Sequence, residues 1–175
     1  RPWRRDSILM KKLFLFDMDG TLTPPRKKIN HNMISKLAEL QKQSWEIGII
    51  SGSDMDYIEQ QCDKLFDLSP ADPRVIHFLP CNGTKYFFNF KKVWEYDMVK
   101  KISSDFIKSI MRQLLLYQNT IVSIYSDIPL TGNFIQMRGS VLNWCPIGRN
   151  ASTEQRETWI TLDKKHRIRE LYLQT

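Results

Sequence analysis

Residues 11–26 read KKLFLFDMDGTLTPPR, and this stretch decides the fold. Leu13 to Phe16 is as apolar as any core strand, yet it runs straight into Asp17 and Asp19, one residue apart. A carboxylate left in a core is strongly unfavourable unless it is paired or bound to something. Two of them, followed at once by Gly20 and Thr21, describe a built site at the end of a buried strand. Alternate residues of an extended chain share a face, and a turn at Gly20 lets the second aspartate swing over the first.

The chain around this stretch alternates strand and helix. Leu13 to Phe16 has the continuous apolar character of a strand in a sheet buried on both faces. Ile34, Leu37, Ala38 and Gln41, with Met33 and Leu40, form a helical stripe behind a candidate cap at Asn30. Trp45 to Ile50 is a second strand ending at Ser51-Gly52-Ser53-Asp54. Ser53 is the candidate cap of a helix whose inner face is Met55, Ile58, Cys62 and Leu65 or Phe66. After the loop SPADPR, Val75 to Leu79 is a third strand. Such alternation predicts a parallel sheet with helices on its faces and ligands at the carboxyl ends of its strands, where Asp17 and Ser51 both stand.

From Thr84 the pattern changes. Short strands are expected at Lys85 to Phe90 and Val93 to Asp97, joined at Lys91-Lys92, then a helix from Ser104 to Tyr117. Further strands are expected at Ile121 to Tyr125, Asn133 to Arg138 and Val141 to Cys145, the last two turning at Gly139-Ser140. Ser152-Thr153-Glu154-Gln155 is a capping box opening a helix that carries Arg156 and Trp159. The expected organisation is therefore a basic extension over 1–12, a parallel α/β part over 13–83 and an antiparallel α+β module over 84–175.

Composition sets the outer limits. The 175 residues are 42% hydrophobic and 26% charged, a globular balance. No apolar run approaches the roughly 18 residues of a membrane span, and RPWRRDSIL lacks the apolar core of a signal peptide. The net charge of +7 invites a nucleic-acid partner. However, Arg1, Arg4, Arg5, Lys11 and Lys12 crowd the first dozen residues against Asp6 alone, and no RNA-type aromatic motif or helix-turn-helix follows. A small anionic ligand accounts for the remaining arginines, so neither nucleic acid nor membrane is the expected partner. The three cysteines, Cys62, Cys81 and Cys145, have no metal-ligand spacing and suggest reduced thiols in the cytoplasm.

Paired carboxylates repel unless a cation neutralises them, and hard oxygen donors suit Mg²⁺. One aspartate can attack phosphorus to form an aspartyl phosphate, while its neighbour protonates the departing sugar oxygen. The simpler alternative, turn chemistry at Asp19-Gly20, accounts for a bare D-x-D. It does not account for an apolar strand, D-x-D-G-T-L-T and a second strand ending in SGSD.

LFDMDGTLT is the signature of the haloacid-dehalogenase superfamily of phosphoryl-transfer enzymes. DGTLTPPRKKI, IGIISGSD, PCNGTKYF, FIQMRGSVLNWCPIGRNASTEQR and LDKKHRIR together resemble the eukaryotic-type phosphomannomutases, in order and at compatible spacings. The resemblance implies the N-terminal part of a Rossmann-like haloacid-dehalogenase core followed by an α+β cap with an antiparallel sheet. It implies that Asp17 is the nucleophile, Asp19 the acid/base, and both Mg²⁺ ligands. It implies substrate contacts at Arg26, Arg138, Arg149 and Arg156, a hexose 1,6-bisphosphate activator, and interconversion of mannose 6-phosphate and mannose 1-phosphate for GDP-mannose synthesis. It also implies dimerisation through the cap near Phe134.

Ser51 departs from the family, which usually has glycine there. Related enzymes carry a phosphate-binding serine or threonine at this position, so Ser51 is a candidate phosphate contact and a sugar-phosphate phosphatase is an alternative. The resemblance begins after Met10, leaving 1–9 outside it. It also implies that a phosphate-binding lysine and further magnesium ligands follow beyond Thr175, in strands that flank the one bearing Asp17. A truncated relative that binds sugar phosphate, or pairs with a full-length subunit, is the third expectation.

Overall fold

The structure, a computed structural model, describes residues 12–65 and 75–173. The expected extension before Lys12, Phe66 and the SPADPR loop lie outside the described residues. The chain divides into two compact units, one ending at Tyr96 and the other beginning at Asp97.

The first unit follows the expected alternation: β1 (Lys12–Asp17), α1 (His31–Lys42), β2 (Trp45–Ile50), α2 (Met55–Cys62) and β3 (Ile76–Leu79). A single turn, α3 (Pro80–Gly83), leads into β4 (Lys85–Phe88) and β5 (Lys91–Glu95). The five strands form one sheet in sequence order, β1, β2 and β3 parallel, β4 and β5 antiparallel. The β4–β5 hairpin, expected in the cap, therefore extends the core sheet, and the division falls after Tyr96 rather than at Thr84.

Burial corrects one expectation. Both crossovers step the same way along the sheet, and right-handed crossovers then place both helices on one face. Ile34 and Leu37 of α1 and Met55, Ile58 and Cys62 of α2 accordingly share one core cluster with Ile47, Ile49 and Phe78. Phe14 and Phe16 pack against that cluster, whereas Leu13 and Leu15 remain 49% exposed. Among the described residues β1 is thus an edge strand covered on one face only. Glu46 and His77, from neighbouring strands, make a polar link: His77 Nε2 lies 3.0 Å from Glu46 Oε2 and Nδ1 lies 2.8 Å from the Tyr86 hydroxyl.

Local chemistry decides the boundaries. Asn30 caps α1 as expected, its Oδ1 accepting from the Met33 N–H. Asp54, not Ser53, caps α2, since its carboxylate accepts from the Tyr57 N–H at 3.1 Å. The β4–β5 turn falls at Asn89-Phe90, both at positive φ, just before the expected Lys91-Lys92. That is the geometry of a two-residue primed turn, which matches strand twist. The Asn89 side chain accepts from the Ile76 N–H at 2.9 Å and stabilises it.

The second unit comprises α4 (Met98–Lys101), α5 (Ser104–Ile124), β6 (Ile135–Arg138), β7 (Val141–Trp144), α6 (Thr153–His166) and α7 (Ile168–Leu173). β6 and β7 form an antiparallel pair turning at Gly139-Ser140. The strand expected at Ile121 to Tyr125 is instead the last turn of α5. Ile107, Ile110, Leu114 and Ile121 keep a helical stripe, and Ile121 is fully buried beside Ile128, Ile147 and Trp159. Gln118 fixes the helix there, donating to the Pro146 carbonyl and accepting from the Trp144 indole N–H. Tertiary packing overrides the β-preference of Ile and Val. The capping box of α6 forms as expected, with Ser152 and Gln155 bonded reciprocally.

Phe78 is fully buried at the centre of the first cluster. Replacement by alanine is expected to destabilise the first unit by about 3–5 kcal/mol, visible as a lowered urea midpoint.

Candidate active site

The motif folds by alternating burial. Asp17 and Asp19 are exposed, while Met18 is 0% and Leu22 2% exposed. Each such apolar side chain gains roughly 1.5–3 kcal/mol on burial, so the anchoring of Met18 and Leu22 turns the carboxylates outward. The Met18 carbonyl is the hub of the loop: it accepts from the backbone N–H groups of Thr21, Leu22 and Thr23 and from the Thr23 hydroxyl. Gly20, at φ +85°, supplies the left-handed residue, and its N–H returns to the Thr23 carbonyl at 2.7 Å.

Two donors converge on Asp19 Oδ1: the Tyr57 hydroxyl at 3.0 Å and the Arg26 backbone N–H at 3.4 Å. Tyr57 is pushed above its ordinary pKa by burial, then by the charge and hydrogen bond of Asp19, with Arg26 opposing. It therefore remains a hydroxyl donor across physiological pH. Arg26 sits at φ +61°, a conformation uncommon for a side-chain-bearing residue and frequent at ligand sites. Beyond it, the Ile29 N–H bonds the Gln61 carbonyl and Lys28 pairs with Asp63, tying the loop to α2. That pairing holds Asp63 below the usual carboxylate range.

Ser51 lies at the end of β2, 4% exposed. Its Oγ accepts from the Ser53 N–H at 3.1 Å and its carbonyl from the Asn82 N–H at 2.8 Å. Asn82 belongs to α3, where Cys81, Asn82 and Gly83 are all left-handed. The Cys81 N–H donates to the Ser53 carbonyl, so this turn docks on the SGSD loop. Neither Tyr57 nor Asn82 is among the site residues expected from sequence. Asn82-Gly83 carries a turn signal, whereas nothing in the sequence marks Tyr57.

In the second unit, Arg156 and Arg149 come together. The Arg156 guanidinium donates to the carbonyls of Ala151 at 3.1 Å and Arg149 at 2.8 Å. The Arg149 segment is pinned further, its N–H bonding the Gly132 carbonyl. Arg138 stands on β6, largely buried, its Nε donating to Gln136 Oε1 at 3.1 Å. Phe134, half-buried just before β6, accepts from the Cys145 N–H and prolongs the hairpin.

Two exposed carboxylates at one strand end suit Mg²⁺, which takes one or two carboxylates together with water and substrate phosphate. Asp17 and Asp19 are the residues that would hold it, and among the described residues no group of three or more His, Cys, Asp or Glu makes another metal centre.

Fold and loop together define a Rossmann-like α/β core with paired aspartates at the end of its first strand, followed by a separate α+β unit. Residues 33–175 match the model of the eukaryotic phosphomannomutase family, and the chain belongs to that family. It is 33% identical to a phosphomannomutase of Encephalitozoon cuniculi over 91% of this chain and 59% of that protein. It is 30% identical to one of Drosophila melanogaster, over 95% and 61% respectively. The chain thus spans about three fifths of the length of these relatives. In fold it is similar to an IMP-bound mutant of the Plasmodium falciparum IMP-nucleotidase, at TM-score 0.55 and 15% identity, over 91% of this chain and 46% of that one. Among the described residues no helix is long and apolar enough to cross a membrane.

The packing around these loops can be tested at a glycine and a thiol. A Cβ on Gly148, at φ +85°, would lie 2.2 Å from the Gly132 carbonyl oxygen. Gly148→Ala is therefore expected to cost roughly 1–3 kcal/mol and to displace Arg149, read as a lower melting temperature. Burial, with Asp63 and Asp19 nearby, pushes the Cys62 thiol from 9.0 up to about 12. Folding thus holds this thiol protonated, so its contribution to stability is complete below the lower value and is lost as pH rises through that window. In native protein at pH 8 a disulfide reagent should reach Cys145, while the buried Cys62 and Cys81 react only on unfolding.

Proposed function

We propose that this chain carries the nucleophile and acid/base of a phosphomannomutase-type reaction, interconverting mannose 6-phosphate and mannose 1-phosphate through a hexose 1,6-bisphosphate. One observation carries the reading: two exposed aspartates at the carboxyl end of β1, the second held by Tyr57 and Arg26. Membership of the phosphomannomutase family supports it.

An Asp17 oxygen attacks the phosphorus of the bisphosphate. The aspartyl O–P bond forms, the sugar O–P bond breaks, and Asp19 gives its proton to the departing sugar oxygen. In the other half-reaction the free 6-hydroxyl of mannose 1-phosphate attacks the aspartyl phosphate, the aspartyl O–P bond breaks as the bisphosphate forms, and Asp19 takes the hydroxyl proton. When bound, Mg²⁺ would offset the negative charge of the transferring phosphoryl group. Arg26 contacts the substrate beside the nucleophile loop, and Arg138, Arg149 and Arg156 grip whichever phosphate is not reacting, a task suited to arginine's planar fork. The Arg156 and Arg149 pairing supports that assignment, because it orders the segment that presents them. Ser51, bonded within its own loop, is a further contact to phosphate in this reading. The free thiols fit action in the cytoplasm, where the product would feed GDP-mannose synthesis. Pairing of two copies through the cap near Phe134 belongs to the same reading.

Incubation with mannose 1-phosphate and a trace of mannose 1,6-bisphosphate is expected to yield mannose 6-phosphate without net phosphate release. Asp17→Asn should abolish conversion, and Asp19→Asn should slow it by about 10²–10⁴-fold. Stoichiometric release of inorganic phosphate would instead establish a phosphatase.

A further inference from the structure

We propose that Tyr57 is a positioning residue for Asp19, selecting which carboxylate oxygen faces the departing sugar oxygen. The inference rests on the reading of Asp17 and Asp19 given above. Oδ1 of Asp19 accepts from the Tyr57 hydroxyl and the Arg26 N–H. Oδ2 has no hydrogen-bond partner among the described residues. A carboxylate tethered through one oxygen by two donors cannot spin about its terminal torsion without breaking both, so Oδ2 is the oxygen presented outward.

The tether is itself anchored. The Asp54 carboxylate accepts from the Tyr57 N–H, fixing the first turn of α2. Met55 and Ile58, on either side of Tyr57 in sequence, are buried in the core. The ring therefore projects from a rigid element to a loop whose own anchors, Met18 and Leu22, are equally buried. Orientation of this kind matters only in the step where Asp19 acts. Transfer from a sugar phosphate needs a proton delivered to a poor leaving group, whereas transfer from an acyl phosphate does not, because carboxylate leaves unaided. Tyr57 should matter for the first and not for the second.

The experiment compares phosphoryl labelling of Asp17 in the whole chain by mannose 1,6-bisphosphate and by acetyl phosphate, followed by intact mass. Tyr57→Phe, which removes only the hydroxyl, is expected to label about ten- to a hundredfold more slowly with the bisphosphate and at the parent rate with acetyl phosphate. Parent rates with both donors would overturn the positioning role while leaving the reading of Asp17 intact. Equal slowing with both would overturn it too, reducing Tyr57 to a structural support of the loop. Absence of labelling of the parent chain by either donor would remove the reading of Asp17 and this role with it.

Discussion

Everything in the first unit depends on the burial of one side chain between two carboxylates. Met18 is wholly enclosed, and its carbonyl collects the N–H groups of the next turn. Were the register shifted by one residue, Asp17 and Asp19 would enter the core and Met18 would face water. Burying either charge unpaired costs far more than the roughly 1.5–3 kcal/mol that Met18 contributes. The apolar run before the motif and Leu22 after it enforce the same register. A strongly determined strand end therefore has two consequences: it closes the core and it projects a pair of acids into solvent.

The same economy recurs at α2. Its cap, Asp54, lies in the loop that ends β2, and its first turn carries Tyr57 to Asp19. The α3 turn donates backbone N–H groups back to Ser51 and Ser53. Three successive loops at one end of the parallel strands are thus bonded to one another or to the same helix. Residues at positive φ, Arg26, Cys81 and Asn82, gather in these loops, where the surrounding hydrogen bonds compensate their strain.

Much of this was legible in the sequence, and the reasons are particular. β1, β2 and β3 announce themselves as apolar runs, α1 by its stripe and Asn30, α6 by its capping box, and Asp17 and Asp19 by their place at a strand end. What escaped depended on partners distant in sequence. Ile121 to Tyr125 has the composition of a strand, and only Gln118 meeting Trp144 and Pro146 shows why it stays helical. The turn at Asn89-Phe90 needs an aromatic at positive φ, a choice stabilised by Asn89 reaching Ile76. The open face of β1 follows from the handedness of two crossovers, not from any residue in it. Tyr57 lies on a helix with no motif of its own, and its role exists only because that helix packs beside the loop.

The arginines of the second unit show a different relation between charge and site. Arg156 has two carbonyls, those of Ala151 and Arg149, within its guanidinium's reach. A guanidinium carries five donors in a fixed fork, so one side chain bonds both carbonyls at once. Loop and charge are then one device: Gly148 allows the close approach to Gly132, that approach positions Arg149, and Arg156 locks the segment from the start of a capped helix. An arginine that shapes its own loop is not a freely exchangeable positive charge. Lysine could restore charge at Arg156 but lacks the planar geometry to reach both carbonyls together.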